Sequence, residues 1–182
     1  MSINLIMGCM FSGKTSEIIS VAKMNKLLNR NVLIINYEED SRYSSADKIT
    51  THDKTSLDCI TCGKDLELAK SLKGYTESDV ICINEGQFFK NLVKFCVDAC
   101  EDGKIIHVCG LDGDYLKRPF GEILELIPYC ENVRKLHAIC MGCMNGTLAS
   151  FTKRIIKSED LVLIGSVESY MPVCRKCYTK ED

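Results

Sequence analysis

Residues Gly8-Cys9-Met10-Phe11-Ser12-Gly13-Lys14-Thr15 match G-x-x-x-x-G-K-[ST] at every fixed position. Before them, Ile3-Asn4-Leu5-Ile6-Met7 is a short, mostly apolar run that suits a buried parallel strand. After them, Ile18, Val21, Ala22 and Leu28 recur at helical spacing, with Lys23, Asn25, Lys26 and Asn29 on the polar positions. Strand, glycine-rich loop and helix in that order form a phosphate cradle. The glycines let backbone amides converge on phosphate oxygens, and the helix adds unpaired amides and the positive end of its dipole. Lys14 is expected to reach the β- and γ-phosphates of a nucleotide, and the Thr15 hydroxyl to join a magnesium shell. A glycine-rich turn of no function is the competing reading, and it does not account for the flanking strand and helix.

The chain has 182 residues, enough for one domain of ordinary size or one domain with a small appendage. A net charge of −2 gives no electrostatic reason to propose nucleic acid or an anionic membrane as a partner. No apolar run approaches the roughly 18 residues of a membrane span. The first residues enter a strand at once, leaving no room for a targeting peptide, so a cytoplasmic location is expected. The 12 cysteines are the oddity. In a reducing compartment, cysteines at short regular spacing read as metal ligands, whereas Cys82, Cys96 and Cys109 in apolar runs read as small core residues.

Residues 31–37, NVLIINY, give a second buried strand, and strand-helix-strand implies a parallel sheet. The polar stretch 38–54 is long for a plain connection; Asp40, Arg42 and Tyr43 leave the second strand on the edge where open parallel sheets bind ligands. Arg42 is a candidate phosphate contact, with a solvated loop arginine as the rival reading. A third strand, residues 79–84, ends in Asn84-Glu85-Gly86-Gln87-Phe88-Phe89. A polar pair at the end of a strand beside the phosphate-loop strand is where magnesium and base functions belong. A helix is expected from Phe88 to Asp102, a fourth strand over residues 104–110, and a turn-rich loop over 111–121. On that loop Tyr115 and Phe120 suit stacking on a base, or equally packing against the core. His107 reads as a packed strand histidine. A short helix over 122–126 ended by Pro128, and one strand over 133–139, complete this part.

The pattern then changes. Cys140-x-x-Cys143 and Cys174-x-x-Cys177 flank residues 144–173, a spacing wider than the roughly 15–20 residues usual between such pairs. Each pair sets two thiolates on one tight knuckle, and the four suit a closed, structural zinc site. Cys59-x-x-Cys62 is a competing pair, ranked lower because only the C-terminal set coincides with a change in chain character. A unit this small has no core of its own and requires a metal staple.

Taken in order, MFSGKT (10–15), DSRYSS (40–45), THD (51–53), EGQFF (85–89), LDG (111–113), RPFG (118–121), the CMGC knuckle, TKR (152–154) and VCRKCY (173–178) resemble the type II thymidine kinase family, with its vertebrate cytosolic and poxviral members. The resemblance runs over nearly the whole chain. It implies an α/β fold, a RecA-like P-loop parallel sheet flanked by helices, with a small C-terminal zinc-binding lasso domain. The division implied is 1–139 for the nucleotide-binding domain and 140–182 for the zinc unit. On the nucleotide side the resemblance implies Gly8, Cys9, Met10, Phe11, Ser12, Gly13, Lys14 and Thr15, then Asp40, Ser41 and Arg42, with Asn84 and Gln87. The base that takes the proton from the nucleoside 5′-hydroxyl falls on Glu85. The nucleoside pocket falls on Met10, Phe88, Leu111, Tyr115, Phe120 and Thr152, and on Tyr170 with the lasso residues Leu161, Val162, Leu163, Ile164 and Gly165. Zinc ligands fall on Cys140, Cys143, Cys174 and Cys177. ATP and magnesium as cofactors, thymidine as acceptor, dTTP as feedback inhibitor and a homotetramer follow from the same resemblance.

Departures from the family pattern are specific. Asn84 replaces the Asp that normally precedes the base, which removes a charge that helps hold magnesium and predicts weaker metal binding. Cys9 replaces the usual Pro. Two extra residues separate Cys143 from Thr152, and Leu116 and Lys117 replace family residues near the pocket. The leading expectation is phosphoryl transfer from ATP to thymidine. The alternative is a catalytically weak nucleotide-binding module whose magnesium site has decayed at Asn84. A zinc-ribbon ATPase on nucleic acid is disfavoured by the acidic balance.

Overall fold

The computed structural model describes residues 1–38, 48–51, 54–156 and 168–180. In chain order the elements are β1 (Ser2–Gly8), α1 (Lys14–Leu27), β2 (Val32–Tyr37), β3 (Lys48–Thr50), β4 (Ser56–Asp58), β5 (Ile60–Cys62), β6 (Val80–Ile83), α2 (Leu92–Glu101) and β7 (Ile105–Gly110). There follow β8 (Asn132–Leu136), β9 (Ala138–Ile139), β10 (Leu148–Ala149), β11 (Phe151–Arg154), β12 (Tyr170–Val173) and α3 (Arg175–Tyr178). Short 3-10 segments cover Leu66–Ser71, Gly86–Phe88 and Ile127–Tyr129.

Six strands form one sheet in the order β5-β2-β6-β7-β1-β8, every neighbouring pair parallel. Its central strands are apolar because both faces are covered. Successive residues alternate between two cores: Leu33, Ile35, Ile81, Ile83 and Ile106 face the α2 side with Leu92 and Phe95. Ile34, Val80, Cys82 and Cys109 face the α1 side with Ile18, Ile19 and Ala22. The edge strand β8 is exposed and carries Arg134 and Lys135, charges that discourage further edge pairing. No helix among the described residues is long and apolar enough to cross a membrane.

Several boundaries differ from the sequence reading. The expected helix over 88–102 starts only at Leu92, because Glu85 and Asn91 both hold left-handed backbone (φ 56° and 60°) and break the chain after β6. Its N-terminus is closed from a distance: the Glu122 carboxylate accepts from the amides of Asn91 (2.9 Å) and Val93 (3.0 Å). Residues 122–126 form turns, and Pro128 lies inside the 3-10 segment that follows, where its missing N–H is no loss. The expected strand over 133–139 divides between β8, in the main sheet, and β9, which pairs antiparallel with β10. Most consequential, β6 is not beside β1; β7 lies between them.

A third cluster packs Ala138, Cys140, Ala149, Val173 and Cys177 together with Cys9 of the phosphate loop. The small C-terminal unit and the loop thus share one core.

Candidate active site

β1 delivers the chain into the phosphate loop at Gly8, where φ is +151° and an added Cβ would stand 2.4 Å from the Leu136 carbonyl oxygen. Only glycine lets β8 press this close. The loop turns through Phe11 and Gly13, both at positive φ, and α1 starts at Lys14. Lys14 Nζ donates to the Cys9 carbonyl at 2.7 Å and the Ser12 hydroxyl donates to the same oxygen at 2.8 Å. The lysine is only 8% exposed. Burial pulls its pKa below the ordinary lysine value, and the Glu85 carboxylate is the leading opposing influence. Thr15, half-buried, occupies the first turn of α1.

Glu85 follows β6 in left-handed backbone, a conformation that costs about 1 kcal/mol or more for a side-chain-bearing residue. Gln87 Nε2 donates to Glu85 Oε2 at 2.6 Å, and Gln87 Oε1 accepts from the Leu111 amide at 2.9 Å. Gly121 of the RPFG stretch lies on the same glutamine: its φ is +56°, and a Cβ there would come within 2.2 Å of the Gln87 carbonyl oxygen. Asn84 is buried between strands, its Nδ2 donating to Asn36 Oδ1 at 2.8 Å and its Oδ1 accepting from Cys109 Sγ at 3.0 Å. Burial, with the Glu85 charge behind it, pushes the Cys109 thiol up to about 12, so it stays a proton donor. Both amide atoms of Asn84 are thereby engaged within the protein.

Among the residues expected around a nucleoside, three sets of contacts bridge separate segments. The Met10 amide donates to Thr152 Oγ1 at 3.0 Å, joining the phosphate loop to β11. Phe88 stacks on Tyr37 (centroids 5.0 Å) and meets Phe120 edge-on (5.4 Å). Tyr115 and Tyr170 come together through Arg154, whose guanidinium carbon is 3.8 Å from one ring centroid and 5.3 Å from the other. Asp40, Ser41, Arg42, Leu161, Val162, Leu163, Ile164 and Gly165 lie outside the described residues.

The Cys140, Cys143, Cys174 and Cys177 sulfurs all lie within 4.8 Å of one another, with Cys143 and Cys177 3.4 Å apart. A tetrahedral Zn–S bond of ~2.3 Å sets sulfurs ~3.8 Å apart, so the donor set fits zinc. Burial raises the Cys140 thiol, but the amides of Cys174, Cys143 and Gly142 outweigh it and bring it to about 6, whereas hydrogen bonds with neighbouring sulfurs shift Cys143 and Cys177 up, so one thiolate is shared within the cluster. Among the described residues no other group of His, Cys, Asp or Glu is arranged this way. Cys62 of the competing pair is buried and donates to the Asp65 carbonyl at 3.7 Å.

Asn36, Cys109 and Arg154 take part in these networks, and sequence reasoning gave none of them a role at the site. Asn36 was detectable as the one amide within the apolar run of β2. His107 is packed as expected, half-buried in β7, and burial lowers its pKa.

The thymidine kinase family model matches residues 1–178. Thymidine kinase of myxoma virus (strain Uriarra) is 42% identical over 97% of this chain and 95% of its own length. Thymidine kinase 1 of Dictyostelium discoideum is 39% identical over 98% of this chain and 78% of its own. Among solved structures, the flagellar accessory protein FlaH of Methanocaldococcus jannaschii superimposes with a TM-score of 0.52 at 13% identity, covering 81% of this chain and 74% of FlaH, a likeness of fold. On the match along nearly its whole length, the chain belongs to the thymidine kinase family.

Proposed function

We propose that the protein transfers the γ-phosphate of ATP to the 5′-hydroxyl of thymidine, giving dTMP and ADP. The observation that carries this reading is the meeting of a phosphate loop and a strained, glutamine-held carboxylate. Lys14 and Glu85 are close enough for the carboxylate to bear on the lysine's pKa, although β7 separates their strands. Family membership favours the enzyme over the binding-module alternative.

In the proposed reaction Glu85 takes the 5′-hydroxyl proton as that oxygen attacks the γ-phosphorus in line, and ADP leaves. Lys14 and the amides of residues 8–15 bind the phosphates and offset the charge that grows on the transferring group. Asp40, Ser41 and Arg42 are proposed as a second phosphate contact. Magnesium, when bound, supplies counter-charge to the β- and γ-phosphates; Thr15 is the residue proposed to hold it. Asn84 acts beneath the site by tying β2, β6 and β7 together. The nucleoside is proposed to lie among Met10, Phe88, Leu111, Tyr115, Phe120, Thr152 and Tyr170, with Leu161, Val162, Leu163, Ile164 and Gly165 as further proposed contacts. Residues 1–139 are read as the nucleotide domain and 140–182 as the zinc unit, with Cys140, Cys143, Cys174 and Cys177 holding a structural zinc ion. A homotetramer, inhibition by dTTP, a cytosolic location and the absence of a nucleic-acid partner complete the proposal.

The test is ADP release from ATP and magnesium with thymidine, deoxycytidine, single-stranded DNA or no acceptor. Release only with thymidine, matched by dTMP, is expected. Release without acceptor, or only with DNA, overturns the reading.

A further inference from the structure

Arg154 ends β11 directly opposite Tyr170, the first residue of β12. Its Nη2 donates to the Tyr170 hydroxyl at 2.8 Å, while its guanidinium carbon rests 3.8 Å from the Tyr115 ring centroid. At that separation a planar cation lies on the ring and is held by its quadrupole. Tyr115 belongs to the loop after β7, and its backbone is anchored separately: Tyr178 of α3 donates its hydroxyl proton to the Tyr115 carbonyl at 2.7 Å. Lys117 Nζ in turn sits 4.1 Å from the Tyr178 ring centroid. The loop backbone is thus fixed by the C-terminal helix, and the ring by Arg154.

Thr152 stands two residues earlier on β11, on the same face of the strand, and accepts from the Met10 amide of the phosphate loop. One face of β11 therefore touches the phosphate loop at one position and the tyrosine pair at the next. A ring has two faces; a guanidinium on one leaves the other for a nucleobase.

We propose that Arg154 is a positioning residue for the acceptor nucleoside, setting the Tyr115 ring against Tyr170 so that the base meets a preformed aromatic pair. This inference rests on the thymidine kinase reading above. It requires a guanidinium, because a lysine keeps the charge but loses the plane that lies on Tyr115 while donating in-plane to Tyr170.

The test uses the full-length, zinc-loaded protein and the variants Arg154→Lys, Tyr170→Phe and their combination, with thymidine and ATP varied separately. Arg154→Lys is expected to raise the thymidine KM about tenfold, with the ATP KM and kcat within about twofold of wild type. Tyr170→Phe removes only the hydroxyl that Arg154 grips and is expected to raise the thymidine KM about threefold. In the double variant the effects should not multiply, because both break one linkage. An unchanged thymidine KM, an equal rise in the ATP KM, or multiplying effects overturn the proposal. If Arg154→Lys fails to fold, Tyr170→Phe decides alone. Wild-type protein that turns over no thymidine removes the functional reading and this inference with it, whereas an active wild type with unaltered variants removes only the inference.

Discussion

Gln87 Nε2 lies 2.6 Å from Glu85 Oε2, and the other end of the same amide accepts from the Leu111 backbone. One buried glutamine therefore orients the proposed base and fixes the start of the loop that carries Tyr115. Its two roles are separable. Glu85→Gln should lower kcat about 10²-fold or more while ATP still binds, because only the proton acceptor is removed. Gln87→Glu keeps an acceptor for the Leu111 amide but sets a second carboxylate against Glu85. Like charges at that distance raise the pKa of the pair, so the acid limb of the kcat profile should move to higher pH. A pH–rate profile identical to wild type in Gln87→Glu would mean that Gln87 does not govern Glu85.

Asn84 tests how the missing family aspartate is tolerated. Its Nδ2 donates to Asn36 and its Oδ1 accepts from Cys109, so the amide holds three adjacent strands together. Asn84→Asp restores the family residue but cannot donate to Asn36, whose own amide must turn over to compensate. The expected outcome is a lower magnesium requirement in steady-state assays, together with a loss of about 1–2 kcal/mol of stability in denaturant titrations. Equal magnesium dependence in both forms would show that position 84 has no part in metal use.

What was legible in the sequence, and what was not, divides along physical lines. The phosphate loop and the four cysteines are local patterns, and their short-range spacing fixes most of their geometry; both stand where expected. The buried strands were legible because two covered faces demand unbroken apolar runs, as in VICI of β6. Strand order is set by long-range packing, so β7 standing between β1 and β6 had no local signal. The cap of α2 comes from Glu122, 29 residues beyond Val93, and so carried no local signal. Arg154 was visible only as one letter of a short motif, because its partners Tyr115 and Tyr170 lie in other segments.

The C-terminal cysteine unit and the phosphate loop share a core, so removing a metal held by the four proposed ligands is predicted to reach the nucleotide site. Cys9 Sγ donates to the Ala149 carbonyl at 3.4 Å and packs in one cluster with Cys140 and Cys177, while the Met10 amide is held by Thr152. Chelation should lower Tm by more than about 5 °C, since losing a structural metal costs several kcal/mol and each kcal/mol is worth about 2–4 °C at this size. ATP affinity should weaken in parallel, measured by equilibrium binding without acceptor. A fall in Tm with unchanged ATP affinity would confine the metal's influence to the C-terminal unit.

His107 supplies a pH signature of the fold itself. It lies in β7 between Asn4 of β1 and Cys82 of β6, and its Nδ1 is buried without a partner among the described residues. Burial lowers its pKa from the ordinary value of 6.5, since the charged ring has lost solvent. The unfolded chain then binds a proton at a higher pH than the folded one, so ΔG of unfolding rises with pH wherever the two states differ. The contribution is fully present above 6.5 and is lost as pH falls from 6.5 through the lower folded value. His107→Gln removes the titration while keeping a polar side chain of similar reach. Urea titrations from pH 7.5 down to about pH 5 should show wild type losing more stability than the variant. Parallel pH curves for the two proteins would mean that the ring charges as readily in the folded strand as in water.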